Sequence, residues 1–180
     1  EAGVVGTGNY QKFGYGGSMM RATPVTGLPA NGEATYQGNY AGIRVYDGTG
    51  GTSGGGLGFV TGTAFLRVDF DDFDDGGAVD AAITGRTAYD GNGASLGALP
   101  GLGATTTSMS GSTIKQTNIT EVIPGTSDVM TGTLRAMFSG PEGKEITGIV
   151  ILEGPDALGS GDNVQERGGF LLDRITYVTP

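Results

Sequence analysis

The sequence predicts an all-β fold: an eight-stranded antiparallel up-and-down β-barrel preceded by a short N-terminal segment. Three observations lead there. Apolar residues recur at every second position through one run after another, the mark of strands with one buried face. Glycine makes up 37 of 180 residues, and so glycine-rich a chain loses much backbone entropy unless a hydrogen-bonded sheet holds it. Turn signals separate the runs: "DGTGGTSGGG", "DDFDDGG", "DGNGASLGALPGLG", "PGTSD", "GPEG" and "GPDALGSGDN". No stretch reads as an amphipathic helix, the nearest candidate being a short turn near "GASLGAL". Consecutive antiparallel strands with one buried face favour closure, which removes exposed sheet edges.

Residues 1–33 form the N-terminal extended segment, and residues 34–180 the barrel domain. The segment reads as irregular, with Pro24 and Pro29 bracketing extended or turn backbone rather than helix. "ATYQGNYAGIRVYD" opens the strands at about 34–46. Gly38 and Gly42 interrupt it where a barrel bends or a neighbouring chain comes close. The run at about 59–71 puts Val60, Ala64, Leu66, Val68 and Phe70 on one face and Thr61, Thr63, Arg67 and Asp69 on the other, with Phe65 out of pattern. At about 78–89, Val79, Ala81, Ile83 and Tyr89 share one face, and Asp80, Thr84 and Arg86 the other.

Strands at about 104–110 and 112–122 follow. At about 129–139, Met130, Leu134, Ala136 and Phe138 line one side. Gly140, Pro141 and Gly143 then make a hairpin, proline presetting φ and glycine accepting a positive one. Glu145 begins the strand at about 145–153, and "GGFLLDRITYV" supplies the last at about 168–178. The charges of Glu145, Arg135 and Arg174 read as solvated strand-end charge rather than a buried pair. With eight strands, side chains just fill the interior, so a site is expected on loops or on the N-terminal segment, not in a lumen.

"VDFDDFDDGG" sets five aspartates among the seven residues 69–75. A helix–loop–helix calcium loop needs acidic groups at its positions 1, 3 and 5 and Glu at 12. Counted from Asp71, position 3 is Phe73 and position 12 is Ala82; counted from Asp69, position 5 is Phe73. The pattern fails, and the run reads as a wide hairpin tip with its charges spread into water. A looser oxygen cage from Asp71, Asp72, Asp74 and Asp75 is the alternative.

Composition also excludes. The chain has no Cys and no His, which removes disulfides, Ser–His–Asp and Cys–His catalysis, and the usual zinc sites. A formal charge of −9 repels nucleic acid and anionic membranes. No run approaches the length and apolarity of a spanning helix. "GTGGTSGGG" lacks the lysine and helix of a phosphate-binding loop. "NIT" at Asn118 matches a glycosylation sequon, a short pattern that carries little weight alone. The reading is therefore not an enzyme, with no cofactor.

The candidate ligand-binding cluster is Tyr10, Phe13, Tyr15, Met19, Met20 and Arg21, because aromatics and arginine are the usual interface anchors. The plainer reading is that these side chains pack the segment onto the barrel wall. Without histidine, only Tyr or Met could ligate a haem iron.

Three ordered blocks carry a resemblance. "YGGSMMRATPVTGLPANGEATYQGNYAG" is a Gly/Pro-rich lead-in, a Leu-Pro pair and a Gly-x-Ala-Thr-Tyr-x-Gly strand. "LRVDFDDFDDGGAVDAAITG" is a strand ending in Val-Asp-Phe, an acidic turn and an Ile-x-Gly return. "TGTLRAMFSGPEGKEITGIVILEG" with "GGFLLDR" is a Phe-x-Gly-Pro strand, its Glu-led return and a terminal Gly-x-Phe strand. In order and spacing, over about residues 14–174, they resemble the C-lobe β-barrel family of transferrin-binding protein B, with its transferrin-binding protein-like solute-binding proteins and factor H-binding protein relatives.

The resemblance implies an eight-stranded barrel with an N-terminal handle, displayed on or released from the outer surface of a Gram-negative bacterium. It implies non-enzymatic binding of a protein or a small iron- or haem-related ligand. The chain departs from the pattern in lacking the lipobox cysteine that anchors many members. It also has one lobe rather than two, so transferrin itself is not the expected ligand. The alternative is a structural surface or filament subunit that self-assembles, its N-terminus completing a neighbour's sheet by strand addition.

Overall fold

The computed structural model describes residues 1–7, 13, 15–48, 56–72, 77–122 and 129–179. A short hairpin, β1 (Ala2–Gly6) and β2 (Gly16–Met20), precedes β3 (Glu33–Tyr46), β4 (Gly56–Asp69) and β5 (Val79–Tyr89). The short strands β6 (Ser95–Ala98), β7 (Leu102–Ala104) and β8 (Met109–Ser110) come next, then β9 (Thr113–Glu121), β10 (Thr131–Ser139), β11 (Glu145–Pro155) and β12 (Asn163–Val178). Among the described residues no helix is long and apolar enough to cross a membrane.

The main sheet closes on itself. Its circuit runs β3, β4, β5, β7, β9, β10, β11, β12 and back to β3, every pairing antiparallel. This is the expected eight-stranded up-and-down barrel, with β6 paired on β5 and β8 on β9 as additions. The alternation read from sequence points inward as expected: Val60, Ala64, Leu66, Val68 and Phe70 are buried, as are Met130, Leu134, Ala136 and Phe138. Near one end of the barrel Phe138 meets Tyr36 edge-on and Phe70 at a tilt. Val25 and Leu28 of the N-terminal segment pack against the core, and Thr26 bridges Pro141 in the β10–β11 turn. The Tyr36 hydroxyl donates to the Gly143 carbonyl at 2.8 Å.

Four expectations are corrected. Residues 1–33 are not irregular throughout, because they contain the β1–β2 hairpin. The strand expected at 104–110 is broken into β7 and β8, with the short strand β6 before them in the stretch around "GASLGAL". The last strand begins at Asn163, before the glycines taken as its start.

The fourth correction concerns Arg86, expected on the solvent face and found buried at 1% exposure. Gly85 adopts φ +59, and the β4–β5 register shifts between Thr61 and Thr63, opposite Thr87 and Thr84. That bulge changes the parity of the strand, so Ile83, Arg86 and Ala88 all point inward.

The opposed glycines Gly42 and Gly168 mark a close approach. A Cβ on Gly42 would lie 2.8 Å from the Arg167 carbonyl oxygen, and one on Gly168 would overlap the Tyr40 phenol. The acidic tip is a turn where it is described: the Asp69 carboxylate accepts from the Asp71 amide at 2.9 Å, and the Asp71 carboxylate from the Gly32 amide at 3.1 Å. Asp74 and Asp75 lie outside the described residues.

Candidate functional site

Two regions hold the candidate side chains: the barrel interior and the N-terminal hairpin on its outer wall. The interior carries an alternating chain of charge. Glu166 of β12 stands at its centre, fully buried. Its Oε1 accepts from the Tyr40 hydroxyl at 2.7 Å. Its Oε2 lies 2.6 Å from Arg86 Nη2 and 3.4 Å from Arg44 Nε. Arg86 Nη1 continues to Glu121 Oε1 at 3.1 Å and to the Pro100 carbonyl at 2.6 Å. Arg44 Nη2 continues to Asp156 at 3.1 Å, while its Nη1 donates to the Tyr46 hydroxyl at 3.1 Å. The run Glu121–Arg86–Glu166–Arg44–Asp156 thus joins β9, β5, β12, β3 and the turn after β11.

Burying charge is costly unless each group is paired, and here each carboxylate has a guanidinium. Burial, with Glu166 adjacent, raises the Tyr40 hydroxyl well above its ordinary pKa. Burial lowers the Arg86 pKa, but Glu166, Tyr40 and Glu121 together more than restore it, so the group ends above its usual value. Burial also pushes Tyr36 up to about 12, against the lowering effect of Arg174. The network fills and ties the interior.

The hairpin lies across the outer faces of β12, β3 and β11. Its strands register Ala2 with Met20, Gly3 with Met19 and Val5 with Gly17. Strand alternation then gives two faces. One holds Ala2, Val4, Gly6, Gly16, Ser18 and Met20 and rests on the wall: a Cβ on Gly169 would lie 2.8 Å from Ala2 Cβ, and one on Gly6 would lie 3.5 Å from Ile43 and Val45. The other presents Val5 and Met19 to solvent, 66% and 67% exposed.

The sequence cluster is therefore divided. Tyr15 and Met19 are exposed, Met20 turns to the barrel, and Phe13 is half-buried. Arg21 is exposed, its backbone paired with Glu1 in both directions at 2.7 and 2.8 Å. Tyr10 lies outside the described residues. Because Met19 and Met20 leave opposite faces, they cannot ligate one iron together. Residues 2–6 pair with 16–20 of the same chain, so the strand that the structural alternative would donate is already half of an internal hairpin.

Two hollows flank this hairpin. An open groove of about 650 Å³ runs beside β1 over β3 and β12, lined by Ala2, Val4, Asn39, Ala41, Ile43 and Leu171 among others. A cleft of about 280 Å³ lies at its Glu1 end, with Glu145, Thr147 and Asp173 in its lining. Sequence reasoning placed none of these residues in a binding site. Glu145 is solvent-exposed as expected, and Arg174 pairs with the exposed Glu142 at 3.5 Å rather than with a buried carboxylate.

No family model matches the chain, and no curated protein matches it. Among solved structures, transferrin-binding protein B (isotype 1) from serogroup B Neisseria meningitidis aligns over 88% of this chain and 28% of its own, at 15% identity and a TM-score of 0.46. A mutant of transferrin-binding protein B from Haemophilus parasuis aligns over 85% and 28%, at 14% identity and a TM-score of 0.45. The chain thus spans little more than a quarter of the length of these structures.

Proposed function

We propose that the chain is a non-enzymatic binding protein of the transferrin-binding protein-like type, displayed on or released from the surface of a Gram-negative bacterium. Its partner is a protein, held by the N-terminal hairpin and the loops beside it. The observation that carries this reading is the two-faced hairpin. One face is spent on the barrel wall, while the other leaves Val5 and Met19 in water beside an open groove. Apolar side chains clustered on a raised edge are what an interface core uses. The filled, internally paired interior supports an external site, and the ordered sequence blocks support the family type. Met19 and Met20 on opposite faces count against an iron- or haem-related ligand at this segment.

The test is biolayer interferometry of the immobilised full chain against a panel of purified host serum and secretory proteins, beside a Val5→Ser/Met19→Ser variant. The expected result is a panel protein whose affinity drops about tenfold or more in the variant. A panel protein held equally by both chains would move the site away from the hairpin. A hemin titration that develops a Soret shift with the full chain would replace the protein partner by haem.

A further inference from the structure

The cleft at the Glu1 end of the hairpin contains an electrostatic conflict. Glu145 of β11 and Asp173 of β12 stand directly opposite each other in the ladder, both exposed on the outer face. Like charges so placed repel. The neighbouring bases do not relieve them: Lys144 Nζ and Arg174 Nη2 lie 3.3 and 3.5 Å from Glu142 Oε2. Among the described residues, the side chains of Glu145, Asp173 and Glu1 have no hydrogen bond or ion pair.

A second, independent feature lies in the same cleft. Thr147, in its lining, is 1% exposed, and its hydroxyl has no hydrogen-bond partner. A buried polar group left unpaired costs free energy that a ligand N–H or acceptor recovers. Among the described residues no three acidic side chains are close enough together to hold a metal ion. The arrangement suits a broader cation, an ammonium or a guanidinium, better than a point ion.

The cleft adjoins the larger groove, with Leu171 and Asp173 lining both. Along that groove β1 offers a free edge. Glu1 and Thr7 pair with Arg21 and Tyr15 through backbone hydrogen bonds, so in an antiparallel ladder the odd residues of β1 face β2. The N–H and C=O groups of Ala2, Val4 and Gly6 point the other way, and among the described residues β1 pairs with no strand but β2. An extended chain laid in the groove meets those groups and passes Asp173.

We propose that groove and cleft together take an extended basic segment of the partner protein. Its main chain adds to the free edge of β1, and one Lys or Arg side chain enters the cleft between Glu145 and Asp173. The proposal rests on the reading of the hairpin as the binding element. It also gives a use to the formal charge of −9, which draws basic segments in.

The probe is a fluorescein-labelled peptide alternating valine with arginine, followed by anisotropy at physiological salt. Its companion carries citrulline in place of every arginine. Wild type should bind the arginine peptide, and Glu145→Gln/Asp173→Asn should weaken it by about tenfold or more. Asp90→Asn/Glu153→Gln removes the same charge at the other end of the barrel and should change affinity by less than about twofold. Thr147→Val should weaken the arginine peptide and leave the citrulline peptide unchanged.

Equal losses in the two charge variants would mean general attraction to an acidic surface and overturn the proposal. So would wild type that ignores the peptide. If wild type ignores the peptide but still holds a panel protein through Val5 and Met19, only the cleft assignment falls. If the peptide binds as described while Val5→Ser/Met19→Ser leaves every panel interaction intact, the cleft stands and the outer-face reading falls.

Discussion

The barrel interior and the hairpin cleft treat charge in opposite ways. Inside, Glu121, Arg86, Glu166, Arg44 and Asp156 alternate in sign, and each acid meets a base at 2.6 to 3.4 Å. Outside, Glu145 and Asp173 face each other across a strand pair while the nearby bases turn to Glu142. The first arrangement serves the fold, because an unpaired charge there would be intolerable. The second works against the fold by a small amount, and such a cost is retained where a partner relieves it.

The largest expected effect is at the centre of the interior network. Glu166→Ala leaves both Arg86 and Arg44 short of a buried counter-charge, and should destabilise the chain by about 3–5 kcal/mol in urea titrations. A loss within about 1 kcal/mol would show the network to be dispensable and erase the contrast. Next comes Gly168→Val, which sets a side chain against the Tyr40 phenol. It should cost about 1–3 kcal/mol through overpacking and should cost less in a Tyr40→Ala background, which removes the ring, read from thermal melts of the single and double variants.

The pH dependence follows from the buried tyrosines. Burial pushes Tyr36 up to about 12 in the folded chain against an ordinary 10.0, and burial and Glu166 hold Tyr40 well above that ordinary value. A raised folded pKa gives stability that is whole below the unfolded value and is lost as pH climbs towards the folded one. Urea midpoints should therefore hold up to about pH 10 and fall between there and about pH 12. Tyr36→Phe should flatten that fall. An unchanged slope in the variant would remove Tyr36 from the account.

How much of this was legible in the sequence depends on what each feature requires. The strands were, because alternation is local: Leu134, Ala136 and Phe138 declare their face without reference to a neighbour. Arg86 was misplaced because parity is carried by a bulge at Gly85, which a period-two count runs straight through. Glu166 was passed over because "GDNVQER" looks like loop, although pairing with β3 extends β12 back to Asn163. The hairpin was hidden by its glycines, and the pattern of Met19 and Met20 suggested one cluster where strand geometry makes two faces. The opposition of Glu145 and Asp173 is a fact of register between strands far apart in sequence, and no local signal could announce it.

The smallest effect is the most direct test of the central claim, that interior charge serves the fold and cleft charge serves a partner. The measurement is the urea midpoint of Glu145→Gln/Asp173→Asn beside wild type at neutral pH. Relief of a cross-strand repulsion predicts an unchanged or raised midpoint, a gain of about 0.2–1 kcal/mol. A lowered midpoint, approaching that of Glu166→Ala, would mean the pair holds the barrel together and would contradict the division drawn between the two regions.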